Sequence, residues 1–160
     1  MKNLFLAALV AAQTAALPAL ADPTPVSEID VDMDLTAIET TEAASVWKRL
    51  PDDLEAAIAA RIADLIDENG AEVNIDIDAV SLANALENSL GIEGSTLEGT
   101  INITRSGILN DDDYKLTVAA EDAMVFIPEG TEVGALTIQS DAFYVAMIDA
   151  FAKNVEEHLR

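Results

Sequence analysis

Hydrophobic residues follow two kinds of spacing along this chain. Ile29, Val31 and Met33 alternate with acidic residues, and a similar alternation returns over residues 73–79. Successive side chains of a strand point to opposite faces, so a period of two predicts strands buried on one face and wet on the other. In both predicted strands, the wet face carries aspartate.

A helical spacing lies between these two strands. Leu54, Ile58 and Ile62 recur at every fourth residue, which predicts one apolar stripe along a helix. Pro51 suits the first turn of that helix. Gly70 is expected to end the helix with a positive φ angle.

A second helix is predicted at the end of the chain, with Ser140 or Asp141 as its N-cap. Its apolar stripe repeats at every fourth residue and consists of Phe143, Met147, Phe151, Val155 and Leu159. Trp47, upstream of the first helix, is expected to cover one end of the hydrophobic core. Residues 80–90 have no clear period, and both a short helix and an extended strand are compatible with them.

The middle of the chain predicts antiparallel strand pairs. Residues 97–103 and 114–120 both alternate, and residues 110–113 between them supply turn-forming asparagine and aspartate. Residues 124–127 and 135–138 are predicted to form a further pair across a proline and a glycine.

Together these elements predict an α+β fold. The later strands are too closely spaced for crossover helices, so most of the pairing should be antiparallel. We expect a two-layer domain: a mostly antiparallel sheet of four to five strands, with two amphipathic helices on one face and acidic side chains on the other. This single globular domain is predicted to span residues 28–160, after a flexible mature N-terminus at residues 22–27.

Residues 1–21 have the features of a secretory signal peptide. Lys2 supplies the positive start, residues 4–17 form an apolar core, and Ala19 and Ala21 provide the small residues for cleavage after Ala21. The mature protein is therefore predicted to be periplasmic or secreted, in a bacterial context, with no stable membrane insertion after cleavage.

Acidic residues dominate the charge of the chain. Thirty Asp and Glu stand against eight Lys and Arg, which gives a formal net charge of −22. Nucleic acids and anionic lipid surfaces both require a cationic face, so neither is expected as a partner. A basic protein, divalent cations or a plainly solvated surface all agree with this charge. The absence of cysteine excludes disulfides and zinc–sulfur sites.

Familiar catalytic patterns are missing from the sequence. It contains no HExxH, no G-x-S-x-G and no glycine-rich phosphate loop. The single histidine, His158, lies near the C-terminus and is expected to be solvated. Carboxylate catalysis needs two acids held close together with pKa values moved in different directions, and the sequence singles out no such pair. We therefore predict that the protein is not an enzyme.

The aspartates of the wet strand faces form the first candidate site. Rows of like charge on a sheet repel one another unless they are offset, screened or paired with cations. A basic protein that docks on this face would supply the cations. The candidate partner-binding residues are Asp30, Asp32, Asp34, Asp76 and Asp78.

The predicted turn between the later strands forms the second candidate site. Consecutive acids in a turn can converge on a hard cation, and Ca²⁺ is the one cofactor that this composition suggests. An EF-hand beginning at Asp30 is rejected because Leu35 replaces its glycine and Thr41 its final glutamate. The candidate metal ligands are Asn110, Asp111, Asp112 and Asp113.

The sequence therefore predicts a small, exported, non-enzymatic binding or assembly domain. One alternative is a Ca²⁺-binding domain that uses the acidic turn or the carboxylates of the sheet face. A second alternative is a carboxylate-based hydrolase.

Overall fold

The structure, a computed structural model, describes residues 22–34, 47–78, 92, 94–105, 107 and 112–160. The predictions for the signal peptide and for residues 80–90 lie outside these residues, as do Asn110 and Asp111. The strands are β1 (Val26–Met33), β2 (Ala71–Ile77), β3 (Thr96–Thr104) and β4 (Asp112–Ala119). The α-helices are α1 (Leu50–Arg61), α2 (Ala120–Ala123) and α3 (Asp141–Leu159), and short 3₁₀ helices cover Met124–Phe126 and Val133–Ala135.

These strands form one mixed sheet in the order β1-β2-β3-β4. β1 and β2 are parallel, and α1 lies between them in the chain because a parallel pair needs a long connection. β3 is antiparallel to both β2 and β4. The α+β class and the mostly antiparallel sheet predicted from the sequence are therefore confirmed.

β3 and β4 confirm the predicted pairing of residues 97–103 with residues 114–120. Leu97 lies opposite Val118, and Ile101 lies opposite Tyr114. Alternate residues of both strands face the core, so the period of two in the sequence sets which face of this pair is apolar.

One hydrophobic core joins the apolar strand positions to the apolar stripes of α1 and α3. Phe151 of α3 is fully buried and lies over Gly99 of β3, where an added Cβ would stand 3.1 Å from the phenyl Cζ. The predicted α3 stripe is confirmed, since all five of its residues are buried. Trp47 is 2% exposed, as expected for a residue that closes one end of the core.

The prediction that Gly70 ends α1 with a positive φ angle is wrong. The helix ends at Arg61, and the backbone that follows bonds to β1 instead: Val26 donates to the carbonyl of Leu65, and Asp67 donates to the carbonyl of Val26. Gly70 does not have a positive φ angle. It is required because its Cα lies against β1, where a Cβ would come within 2.6 Å of the Val26 backbone.

The strand pair predicted for residues 124–127 and 135–138 is also wrong. β4 passes directly into α2, and the two 3₁₀ helices lie in this stretch where the strands were predicted. Leu136 and Ile138 are buried, so their alternation reflects packing on the core instead of strand pairing. The carbonyl of Ile138 accepts a hydrogen bond from the indole Nε1 of Trp47 at 3.1 Å.

The start of the described chain is attached to the domain. Thr24 donates its backbone N–H to the carbonyl of Leu159 at 2.7 Å, and its hydroxyl accepts from Arg105 at 3.0 Å. Val26 begins β1 and is fully buried. Within the described part of the chain, no helix is long and apolar enough to cross a membrane.

Candidate functional site: the polar face of the sheet

The face of the sheet opposite the apolar strand positions is polar and exposed. Successive strand residues alternate between faces, so the acidic positions of β1 and β2 share one side with hydroxyl and amide residues of β3. We call this surface the polar sheet face. Its central residues are Asp30, Asp32, Asn74, Asp76, Thr100 and Asn102.

The register brings two carboxylates side by side on this surface. Asp32 of β1 lies directly opposite Asp76 of β2, and Asp30 lies opposite Asn74. Neighbouring strands are about 4.8 Å apart, so the two negative charges repel when no cation lies between them. Among the described residues, none forms an ion pair with Asp30, Asp32 or Asp76.

A shallow groove runs over this part of the polar sheet face. Its volume is about 380 Å³, and its lining residues are Asp32, Asn74, Ile75, Asp76, Thr100 and Asn102. The groove combines two carboxylates with amide and hydroxyl groups, and it offers oxygen acceptors to a cation.

Among the described residues of this surface, basic charge lies on the β3–β4 side. Lys115 forms an ion pair with Glu98 at 3.0 Å, and the hydrogen bond from Lys115 to Glu98 raises the pKa of the lysine ammonium. Asp78 adds to this rise through its charge. The negative charge on the β1–β2 side, from Asp32 and Asp76, therefore has no comparable partner among the described residues.

The structure groups the five predicted partner-binding residues as follows. Asp30, Asp32 and Asp76 are exposed within β1 and β2. Asp34 and Asp78 continue the same alternation just beyond the strand ends, and Asp78 donates its backbone N–H to the carbonyl of Glu98. The sheet therefore brings the two rows of aspartates together.

The predicted metal-binding turn has a different arrangement. Asp112 and Asp113 are the first residues of β4 and face opposite sides of the sheet. The carboxylate of Asp112 lies 3.0 Å from Nε2 of His158, whereas Asp113 accepts a hydrogen bond from the amide of Asn102. These two carboxylates do not converge, and the described residues contain no cluster of three or more acidic or histidine side chains suited to a metal ion.

Sequence reasoning missed the surroundings of His158. Its imidazole stacks on the ring of Tyr114 with centroids 4.0 Å apart and an interplanar angle of 28°. Its side chain still keeps 38% exposure, so it is a surface group that is held in place. Burial raises the pKa of Tyr114 to about 12, and the charge of Asp112 adds to the rise. No sequence signal pointed to this contact, because α3 and β4 meet only through the tertiary fold.

Sequence reasoning also missed the cluster around Tyr144. Trp47 packs edge-on against Tyr144, with centroids 5.2 Å apart and an interplanar angle of 86°. The Tyr144 hydroxyl donates to Asp53 Oδ2 at 2.7 Å. Burial and this hydrogen bond both raise the pKa of the phenol above its ordinary range. The Arg49 guanidinium lies over the same ring, 5.7 Å from its centroid.

Comparison with protein-family models, with curated proteins and with solved structures finds no match to this chain.

Proposed function

We propose that this chain is an exported, non-enzymatic binding domain whose polar sheet face docks on a basic protein. The observation that carries the proposal is the side-by-side position of Asp32 and Asp76 over the groove, with no ion pair from any described residue. A docked lysine or arginine would relieve the repulsion between these carboxylates.

The proposed architecture explains why this face is available. In a two-layer arrangement, α1 and α3 both cover the apolar side of the sheet, and the polar side faces solvent. Exposure of Asp30, Asp32 and Asp76 supports this arrangement, as does the contact of Phe151 with Gly99 on the opposite side. Export through the signal peptide would place the surface in the periplasm or outside the cell.

Electrostatic attraction would act at two levels. The net charge of −22 would draw a basic partner toward the molecule at long range, and this attraction would weaken as salt is added. Contacts at Asp32 and Asp76 would then fix where the partner docks. This second, local contribution distinguishes the proposal from general attraction to an acidic protein.

The test compares two variants with equal charge. Asp32→Asn with Asp76→Asn removes two charges from the polar sheet face, and Glu129→Gln with Glu132→Gln removes two from an exposed loop elsewhere. Binding of a lysine-rich peptide of about ten residues is measured by NMR titration at physiological ionic strength. We expect the first variant to bind at least about fivefold more weakly, and the loop variant to change by less than about twofold. Equal weakening of both variants would reduce the effect to net charge and contradict the proposal.

Calcium binding, at the acidic turn or at the carboxylates of the sheet face, is the alternative proposal. It predicts that Ca²⁺ raises the melting temperature more than NaCl at equal ionic strength, whereas screening alone raises it equally with both salts. The opposed directions of Asp112 and Asp113 argue against a calcium site at the turn.

A further inference from the structure

A second groove lies between α1 and α3, away from the polar sheet face. Its volume is about 400 Å³. Part of its lining is apolar and part is acidic. The apolar residues are Ala57, Val145 and Ile148, and the acidic residues are Asp53, Asp141 and Asp149.

Side-chain contacts between the helices bound this groove at both ends. At one end, the Tyr144 hydroxyl bonds to Asp53, and at the other Arg61 bonds to Asp149 at 3.2 Å. Residues four apart share one helix face, so Ala57 lies between these two contacts on α1. Ala57 of α1 and Ile148 of α3 both line the groove.

The acidic part of the lining exceeds the basic part. Arg49 is the one cation among the described residues of the lining, and it is already held over the Tyr144 ring and 4.0 Å from Asp53. Asp141 has no ion pair with any residue in the described ranges. Asp149 is paired with Arg61, and Ile148 is buried. The groove therefore combines the exposed Val145 with the carboxylate of Asp141, which is complementary to a cationic and partly apolar ligand.

We infer that this groove docks a basic amphipathic helix of a partner protein. A third helix can set its ridge of side chains into the furrow between two packed helices. Its apolar residues would cover Val145, which is 44% exposed, and its lysines or arginines would face Asp141, because Asp149 is already bonded to Arg61. The net charge of the chain opposes a second copy as the occupant. This inference rests on residues distinct from those of the polar sheet face, so either can fail alone.

The experiment uses a synthetic amphipathic helix of leucine and lysine, about 15 residues long, as the probe. Binding to the protein is followed by methyl NMR at physiological salt, with Val145→Gln as the groove variant. Val125→Gln is the matched control, because Val125 is 81% exposed and does not line the groove. We expect the methyl signals of Ala57 and Ile148 to shift, and Val145→Gln to weaken binding at least about fivefold while the control changes by less than about twofold.

A second pair of variants with equal charge separates this groove from general attraction to an acidic protein. Asp141→Asn should weaken binding of the helical probe at least about threefold, and Glu129→Gln, in an exposed loop outside both surfaces, should leave it within about twofold. Equal effects of Val145→Gln and Val125→Gln would overturn the inference. It would also be overturned if shifts appeared on β1 and β2 and not at the groove, or if the protein alone formed a dimer that Val145→Gln dissociates.

Discussion

Replacing Gly70 with alanine tests how closely the start of β2 approaches the start of β1. A Cβ at residue 70 would lie 2.6 Å from both the amide nitrogen and the carbonyl carbon of Val26, and 2.7 Å from the carbonyl carbon of Pro25. Carbon atoms in contact are ordinarily about 3.5–4.0 Å apart. The two backbone segments would therefore have to separate by about 1 Å.

Backbone hydrogen bonds hold the segment that would have to move. Val26 donates to Leu65 at 2.9 Å, and Ala71 donates to Pro25 at 2.8 Å. Overpacking costs about 1–3 kcal/mol, and weakening one of these bonds costs about 1 kcal/mol. Alanine recovers less than about 1 kcal/mol by restricting the unfolded chain. We expect the free energy of unfolding to fall by about 2–3 kcal/mol.

Thermal unfolding followed by circular dichroism measures this effect. The predicted loss corresponds to a melting temperature lower by about 6–10 °C. Gly134→Ala is the matched control, because a Cβ there meets nothing within 4 Å and the φ angle is not positive. If Gly70→Ala melted within about 2 °C of Gly134→Ala, the close approach of β1 and β2 would be refuted.

Three further predictions concern ionisation and packing. Both tyrosines of the chain should ionise well above pH 10, because burial raises the pKa of Tyr114 to about 12 and burial with the Asp53 hydrogen bond raises that of Tyr144. Because the native state favours the neutral phenols, the free energy of unfolding should fall as pH rises from the ordinary tyrosine pKa through the native pKa. A titration followed by tyrosinate absorbance in which both midpoints lie near pH 10 would contradict this prediction. The hydrogen bonds from Arg160 lower the pKa of Asp64, which stabilises the fold above the ordinary aspartate pKa, and this contribution is lost as pH falls through the native pKa. Arg160→Gln should therefore raise the titration midpoint of Asp64 measured by NMR. An unchanged midpoint would rule out the pair. Phe151→Ala should lower the free energy of unfolding in urea by about 3–5 kcal/mol, and a loss below about 1 kcal/mol would show that the ring is not packed in the core.

Local periodicity predicted much of the secondary structure correctly. The alternation around Val31 and Val73 became β1 and β2, and the stripe through Phe151 became α3. The same kind of reasoning failed for Leu136 and Ile138, because burial against the core also selects alternate apolar residues where no strand forms. A short apolar run is compatible with a strand and with an irregular segment packed on the core, and only the tertiary structure distinguishes the two.

Close approaches between distant residues were beyond prediction from one sequence. Gly70 is a glycine because β1 passes within contact distance of it, and not because a helix ends there. His158 is stacked on Tyr114 although the two rings are far apart in the chain. Such contacts depend on how elements are placed in space, which local propensity does not encode.

For the candidate site, the sequence by itself determined that β1 and β2 each carry acidic and other polar residues on one face, because alternation fixes the direction of every side chain in a strand. Only the tertiary structure decided that these two strands are parallel neighbours with Asp32 opposite Asp76. It also decided that Asp112 and Asp113 turn to opposite sides, and that a groove opens between α1 and α3 at Ala57. The physical reason is that residue type and period act within one element, whereas register and helix packing arise when elements bury their apolar faces together.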